Sequence, residues 1–141
     1  MEQELLRILV VDDEPDMCWA LENMLRPAGF MVTTTTTGAE ALGLLAGEPY
    51  AGAFVDAKLP DLDGLELAAL IRQRSPHTAI VMISGYFYQE DRAITEGLQN
   101  ELFMGFISKP FDLEEVRLMT SQAVERAREG GNADDLHSAG G

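Results

Sequence analysis

Polar side chains end four of the short apolar runs in this chain, and their chemistry suits the transfer of a phosphoryl group. Asp12 and Asp13 follow the first run, and Asp56 follows the third. Ser84 follows the fourth run, and Lys109 follows the fifth. Two carboxylates about 4 Å apart repel by roughly 4 kcal/mol at an effective dielectric near 20, so a cation would stabilise such a cluster. Oxygen ligands favour Mg²⁺ or Mn²⁺, the ammonium and the hydroxyl could hold phosphoryl oxygens, and a carboxylate could be the nucleophile.

The pattern between these residues predicts the scaffold that would bring them together. The apolar runs lack polar alternation, which is typical of strands buried on both faces of a parallel sheet. They alternate with helical patterns, so right-handed crossovers would give a parallel sheet with helices on both faces. The carboxyl ends of such strands meet at one edge, where the ligand sites of open α/β sheets lie. The runs are Ile8–Val11, Met31–Thr36, Ala53–Val55, Ala79–Ile83 and Gly105–Ser108.

Helix signals fill the stretches between the apolar runs. Pro15 suits the first turn of a helix, and Cys18, Leu21, Leu25 and Ala28 follow at the spacing of one helix face. A further helix is only weakly indicated between Gln89 and Leu102. Three capping boxes precede the other helical patterns. They are Thr37 with Glu40 before Ala39–Leu45, Asp63 with Glu66 before Leu65–Arg74, and Asp112 with Glu115 before Leu113–Arg128.

The composition limits the classes of partner and the compartment. The chain has 24 acidic and 10 basic side chains, a formal net charge of −14, which repels nucleic acids and anionic membranes. The single cysteine, Cys18, excludes an internal disulfide framework. No apolar run reaches the roughly 20 residues of a membrane span. We therefore expect a cytoplasmic protein with no direct nucleic-acid binding and no membrane insertion.

The length predicts one domain followed by a short tail. The 141 residues match one ordinary domain, and a hydrophobic content of 46% is enough for one core. We expect residues 1–129 to form that domain. Residues 130–141 are rich in Gly and have no apolar face, so they are expected to form a flexible tail or the stump of a linker.

Four motifs occur together in the chain. They are Ile8–Glu14 with its acidic pair, Asp56 followed by Leu59–Gly64, Ser84-Gly85, and Lys109-Pro110-Phe111. This combination, spread over about residues 7–128, resembles the receiver domain of two-component response regulators. The resemblance implies a flavodoxin-like three-layer α/β sandwich, with five helices around a five-stranded parallel sheet in the order 2-1-3-4-5. This strand order is implied by the resemblance alone, because the apolar runs do not indicate which strands are neighbours.

The resemblance also implies a phosphoacceptor and a metal site. Asp56 would accept a phosphoryl group from a sensor histidine kinase or a phosphotransfer protein. Asp12, Asp13 and Asp56 would bind Mg²⁺, with Mn²⁺ as an alternative ion. The backbone carbonyl of Lys58 would complete the metal ligands.

Further implied roles concern the response to phosphorylation. Ser84 and Lys109 would hold the phosphoryl oxygens, and the Lys109–Pro110 peptide bond would be cis. Ser84 would move inward and Phe106 would rotate into the vacated space, remodelling the surface of helix four, strand five and helix five. That surface would control a downstream protein or an output domain outside this chain, and a phosphorylation-dependent homodimer stays open. The alternative for Phe106 is a plain core aromatic.

Three other functions compete with a signalling module that turns over no metabolite. A Mg²⁺-dependent aspartyl phosphatase usually has an Asp-x-Asp arrangement after its first strand, whereas Asp12 and Asp13 are adjacent. A flavin-binding module of the same topology would need an anion-binding loop there, and the acidic residues would repel the phosphate. A receiver-like scaffold that is never phosphorylated is disfavoured by the presence of Asp56, Ser84 and Lys109 together.

Overall fold

The computed structural model describes residues 6–85 and 92–140, except for the side chains of residue 93 and residues 127–140. Strands and helices alternate along the chain as the sequence predicts, with a short 3-10 turn, Arg26–Ala28, after the first helix. The elements are β1 (Arg7–Val11), α1 (Pro15–Leu25), β2 (Met31–Thr35), α2 (Gly38–Gly47), β3 (Gly52–Asp56), α3 (Gly64–Arg74), β4 (Ala79–Ser84), α4 (Arg92–Gln99), β5 (Gly105–Ser108) and α5 (Leu113–Gly140).

The five strands form one parallel sheet in the order β2-β1-β3-β4-β5, which confirms the predicted fold. The inner strand β3 is buried at every position, because helices cover both faces of the sheet. The edge strand β2 holds threonines and is buried only at Val32 and Thr35. Its β-branched side chains suit a half-exposed edge.

Two apolar layers hold the helices on the sheet. Successive strand residues point to opposite faces, so Val10 packs with α1 and α5 while Val11 packs with α2, α3 and α4. The predicted face of α1 is buried at Cys18, Leu21 and Leu25. Ala28, predicted on the same face, instead lies in the 3-10 turn after α1 and is exposed. These two layers set the distance of each helix from the sheet, and thereby the positions of the loops at the strand ends.

The helix caps are formed by the predicted residues. Thr37 Oγ1 accepts a hydrogen bond from the N–H of Glu40 at 3.2 Å, and Asp112 Oδ1 accepts one from the N–H of Glu115 at 2.8 Å. Asp63 caps α3 one residue earlier than a capping box would, through the N–H of Leu65 at 3.0 Å. Each bond satisfies a backbone donor that the first helical turn leaves without a partner.

The last helix extends beyond the predicted end at Arg128. The backbone of α5 is helical from Leu113 to Gly140. The segment contains no proline, so nothing interrupts the hydrogen-bond ladder, and each glycine disfavours the helix by only about 1 kcal/mol. No helix in the part of the chain that the structure describes combines the length and the apolar character needed to cross a membrane.

Candidate functional site

The predicted site residues meet at the carboxyl edge of the sheet. Asp12 directly follows β1, Asp56 ends β3, Ser84 ends β4, and Lys109 directly follows β5. Because neighbouring parallel strands end at nearly the same level, all four positions lie at one edge. A cavity of about 240 Å³ opens there. Its lining consists of Asp13, Glu14, Asp56, Lys58, Ser84, Gly85 and Lys109.

The Lys109 ammonium lies at the centre of the cluster. Its Nζ is 2.8 Å from Glu14 Oε1, 2.9 Å from Asp12 Oδ2 and 3.3 Å from Asp56 Oδ2. Burial disfavours the charged lysine, but the hydrogen bonds with Glu14 and Asp12 and the charges of Asp12 and Asp56 outweigh it and raise the pKa of Lys109. The side chain is therefore a fixed cation at neutral pH.

The Asp56 carboxylate is held from two directions. The backbone N–H of Lys58 donates to its Oδ1 at 3.1 Å, and the Lys109 ammonium contacts its Oδ2. Burial raises the pKa of Asp56 to about 6, and the Asp12 charge adds to this, although the Lys58 N–H and the Lys109 charge act in the opposite direction. The carboxylate is thus oriented and partly desolvated, which is a suitable state for a nucleophile.

The loop after β3 is shaped to support Asp56. The N–H of Gly64 donates to the Ala57 carbonyl at 2.9 Å, and a Cβ at position 64 would overlap the Asp56 carbonyl oxygen. Only glycine lets the start of α3 approach the strand so closely. Farther along the same loop, Asp61 accepts the N–H of Gly38 and of Ala39, both at 2.9 Å, so the loop is also tied to the start of α2.

The oxygen ligands of this cluster fit a hard divalent cation. Asp12, Asp13, Glu14 and Asp56 each present a carboxylate oxygen within 4.8 Å of the others. Asp12 is fully buried, and the Lys109 ammonium lies 2.9 Å from its Oδ2 and also contacts Glu14 and Asp56, so one ammonium contacts three of the four carboxylates. Carboxylates held this close repel one another unless cations offset their charge, and a single ammonium offsets only part of it. The set of carboxylates, with no Cys or His among them, suits Mg²⁺ or Mn²⁺.

Glu14 joins this cluster, although the sequence pattern predicts no part for it in a metal or phosphate site. Its carboxylate contacts Lys109 at 2.8 Å and lies within reach of the three aspartates. The signal that could have identified it is its position as the third consecutive acidic residue after β1. The residue immediately before α1 faces the same edge of the sheet as the acidic pair.

Ser84 and Phe106 have different relations to the cavity. Ser84 is buried, lines the cavity and accepts the N–H of Lys109 at its backbone carbonyl, at 2.7 Å. Phe106 pairs with Met82 in the sheet register, and its partly buried ring packs against the apolar layer beneath α2, α3 and α4. Among the described residues, the lining of the cavity does not include Phe106. The Lys109–Pro110 peptide bond is cis, as the resemblance implies.

Comparisons with known proteins agree with this geometry. The family model described as the response regulator receiver domain matches residues 8–121. The chain is 31% identical over 122 residues to the DNA-binding transcriptional regulator NtrC of Escherichia coli strain K12, covering 86% of this chain and 25% of that protein. It is 37% identical over 118 residues to the response regulator protein PilR of Pseudomonas aeruginosa, covering 84% and 26%. The chain thus spans about a quarter of the length of these curated relatives.

Solved structures show the same arrangement of strands and helices. The receiver domain of NtrX from Brucella abortus superposes with a TM-score of 0.77 at 31% sequence identity, covering 84% of this chain and 98% of that one. A CheY-like response regulator receiver domain protein from Methanospirillum hungatei superposes with a TM-score of 0.80 at 28% identity, covering 89% and 99%. Both matches cover nearly the whole of the other chain, so the shared unit is the α/β domain itself.

Proposed function

The chain belongs to the response regulator receiver domain family of two-component signalling, and from this premise we propose that Asp56 is its phosphoacceptor. The phosphoryl group comes from a sensor histidine kinase or a phosphotransfer protein in a Mg²⁺-dependent reaction. The observation that carries the proposal is the Asp56 carboxylate, which ends β3 in the lining of an acidic cavity with the Lys109 ammonium 3.3 Å from its Oδ2.

The chemistry assigned to the side chains is a single displacement at phosphorus. A carboxylate oxygen of Asp56 forms a bond to phosphorus while the bond from phosphorus to the donor breaks, and the donor leaves with that electron pair. The Lys58 N–H keeps the carboxylate oriented during the attack, as its 3.1 Å bond to Oδ1 indicates. Lys109 neutralises charge on the transferred oxygens, and such positioning with charge compensation is the main source of catalysis in phosphoryl transfer.

The metal ligands in this proposal are Asp12, Asp13 and Asp56, with the backbone carbonyl of Lys58 completing the set. A bound Mg²⁺ would supply positive charge opposite the phosphoryl oxygens. The fully buried Asp12 carboxylate and the excess of carboxylates over the Lys109 ammonium support this assignment. Glu14 contacts Lys109 in the same cluster and adds negative charge beside these ligands.

The output of the switch is assigned to the surface of α4, β5 and α5. Ser84 holds a second phosphoryl oxygen, and its position in the buried end of β4 supports this role. Phe106 is the proposed moving aromatic, since its partly buried ring lies one strand from Ser84. The remodelled surface then controls a protein partner or an output domain. The relatives' names include a DNA-binding transcriptional regulator, so regulation of transcription through such a domain is one form of this output.

Intact-protein mass spectrometry after incubation with acetyl phosphate tests the acceptor. The wild-type chain is expected to gain a single phosphoryl adduct that requires Mg²⁺ or Mn²⁺. Asp56→Asn should gain none, while Asp16→Asn, an exposed control of the same charge change at the start of α1, should behave as the wild type.

Three results would contradict the proposal. An adduct on Asp56→Asn at wild-type yield would move the acceptor to another residue. The absence of an adduct on folded wild-type protein with either metal would favour a scaffold that acts without phosphorylation. Release of phosphate from a generic phosphate ester, lost in Asp12→Asn, would instead favour a phosphatase.

A further inference from the structure

A second cavity lies at the edge of the sheet opposite Asp56. It has a volume of about 340 Å³ and opens at the amino ends of β4 and β5, between the loop that follows α3 and the loop that follows α4. Arg126 of α5 closes one side. This volume is within the range of about 300–1,000 Å³ typical of small-molecule sites. The acceptor chemistry proposed above uses no residue of this cavity.

The charges around the cavity are unusual for such an acidic chain. The chain has 24 acidic residues and only 10 Lys and Arg residues, yet Arg72 and Arg126 both line this one space, and Glu101 is the carboxylate among its lining residues. Neither arginine lies within ion-pair distance of a carboxylate in the described ranges 6–85 and 92–126. Their guanidinium groups are therefore available to an external oxyanion.

Arg72 is held in place beside the cavity by the backbone. Its Nη1 donates to the Pro76 carbonyl at 2.9 Å, which positions the guanidinium against the loop before β4. Arg72 and Leu102 also line an adjoining cavity of about 420 Å³ between α3 and α4. The Arg72 guanidinium thus lies where the two cavities meet. Because the backbone already holds it in place, it loses less conformational entropy on binding an anion than an unrestrained side chain would.

The inner wall of the cavity is apolar. Leu102 and Met104 are partly exposed on this wall, whereas Ile80 and Phe103, each 2% exposed, have almost no surface left in contact with water. A bare inorganic anion would leave this wall in contact with water. A ligand that has an apolar body beside its anionic group would cover it and gain from the burial of apolar surface.

We propose that this cavity binds a small organic oxyanion, with its phosphate, phosphonate or carboxylate group between Arg72 and Arg126 and its apolar body against Leu102 and Met104. Glu101 opposes the binding and keeps it selective for ligands that also use the apolar wall. The site is independent of the proposed phosphoryl transfer, because it shares no residue with the acidic cavity at Asp56.

Chemical-shift titration of ¹⁵N-labelled protein tests the site with four probes. These are phenylphosphonate, benzoate, inorganic phosphate and benzyl alcohol, and none of them is a phosphodonor. Phenylphosphonate or benzoate is expected to shift the amides of residues 77–80 and 101–104 in a saturable manner. Inorganic phosphate and benzyl alcohol should bind at least about tenfold more weakly, because each offers only one of the two interactions. The stronger of the two organic anions identifies the preferred oxyanion.

Charge variants test whether the binding is electrostatic and local. Arg72→Gln and Arg126→Gln should each weaken binding about five- to tenfold, the loss expected for a charge-assisted hydrogen bond near the surface. Glu101→Gln should tighten it about two- to fivefold. Arg74→Gln is the matched control, since Arg74 is exposed on the same helix as Arg72 but does not line the cavity. The amide spectrum of each variant shows whether it has folded.

Several results would overturn the proposal. One is the absence of saturable shifts with both organic anions up to about 10 mM, a concentration that would detect millimolar affinity. Others are shifts centred on Lys58, Ser84 and Lys109, equal binding of inorganic phosphate, or an equal loss of affinity in Arg74→Gln and Arg72→Gln.

Discussion

Neutralising Asp13 should stabilise the metal-free protein. The four carboxylates of the cluster lie within 4.8 Å of one another, and the cluster also contains the Lys109 cation. At 4.8 Å, two like charges repel by about 1 kcal/mol in water and by about 3 kcal/mol at an effective dielectric near 20. Asp13 is exposed, so the lower value applies. Asp13 is repelled by the three other carboxylates and attracted by Lys109, which leaves a net repulsion of about 2 kcal/mol. Screening by salt reduces this to about 1 kcal/mol.

Urea unfolding in EDTA and in Mg²⁺ measures both parts of this prediction. In EDTA, Asp13→Asn should raise the free energy of unfolding by about 1 kcal/mol with an unchanged denaturant slope. A ligand at 100 times its dissociation constant stabilises the native state by about 2.7 kcal/mol. In Mg²⁺ the wild type should gain stability in this way, and Asp13→Asn should gain less, since one of the proposed ligands has lost its charge.

Asp16→Asn controls for the change in net charge. Asp16 is exposed in the first turn of α1 and lies outside the carboxylate cluster. It should show no stabilisation in EDTA and the same response to Mg²⁺ as the wild type. Loss of stability in Asp13→Asn without metal would refute the argument from repulsion. An undiminished response to Mg²⁺ in Asp13→Asn would refute the assignment of Asp13 as a metal ligand.

Two further predictions concern the loop after β3. Hydrogen bonds from the N–H groups of Gly38 and Ala39 lower the pKa of Asp61, so its contribution to stability is present above the unfolded pKa and is lost as the pH falls through the folded value. Urea unfolding of the wild type and Asp61→Asn should therefore give a difference in unfolding free energy that is constant near pH 6 and shrinks below about pH 4. A difference that stays constant down to about pH 3 would contradict this. Gly64→Ala should lower stability by about 1–3 kcal/mol because its Cβ would overlap the Asp56 backbone. Gly43→Ala, where a Cβ meets nothing within 4 Å, should raise the stability by about 0.5–1 kcal/mol in the same assay. Equal effects of the two substitutions would show that the close approach at Gly64 does not restrict the side chain there.

The sequence predicts the residues at the strand ends better than it predicts their mutual contacts. Apolar runs that stop at Asp12, Asp56 and Ser84 indicate buried parallel strands, and parallel strands must end at a common edge. The strand order, in contrast, depends on packing between distant elements, so only the family resemblance predicts it. Glu14 is likewise beyond local signals, because its contact with Lys109 joins residues 95 positions apart.

Local signals also miss contacts that cross the fold. In the sequence Asp61 has no feature beyond those of a loop residue, yet its carboxylate caps α2, which begins 23 residues earlier. The second cavity is built from α3, β4, the loop after α4 and α5, and no spacing in the chain relates Arg72 to Arg126. The sequence does not predict the extension of α5 past Arg128, because the glycines there disfavour a helix without preventing it.

Because the Lys109 ammonium already contacts three carboxylates, an anion that binds it in the acidic cavity must replace one of them. An ammonium has three N–H donors, and Asp12, Glu14 and Asp56 lie around it at 2.8–3.3 Å. An incoming anion therefore reaches Nζ only by displacing one of these carboxylates. Glu14, with 57% of its side chain exposed, is the partner that water can solvate most readily once it is released. Residue 14 thus sets how much free energy an anion must gain from contact with Lys109 in order to displace the carboxylate that is already there. The length of the side chain at position 14 changes that free energy while leaving Asp56 unchanged.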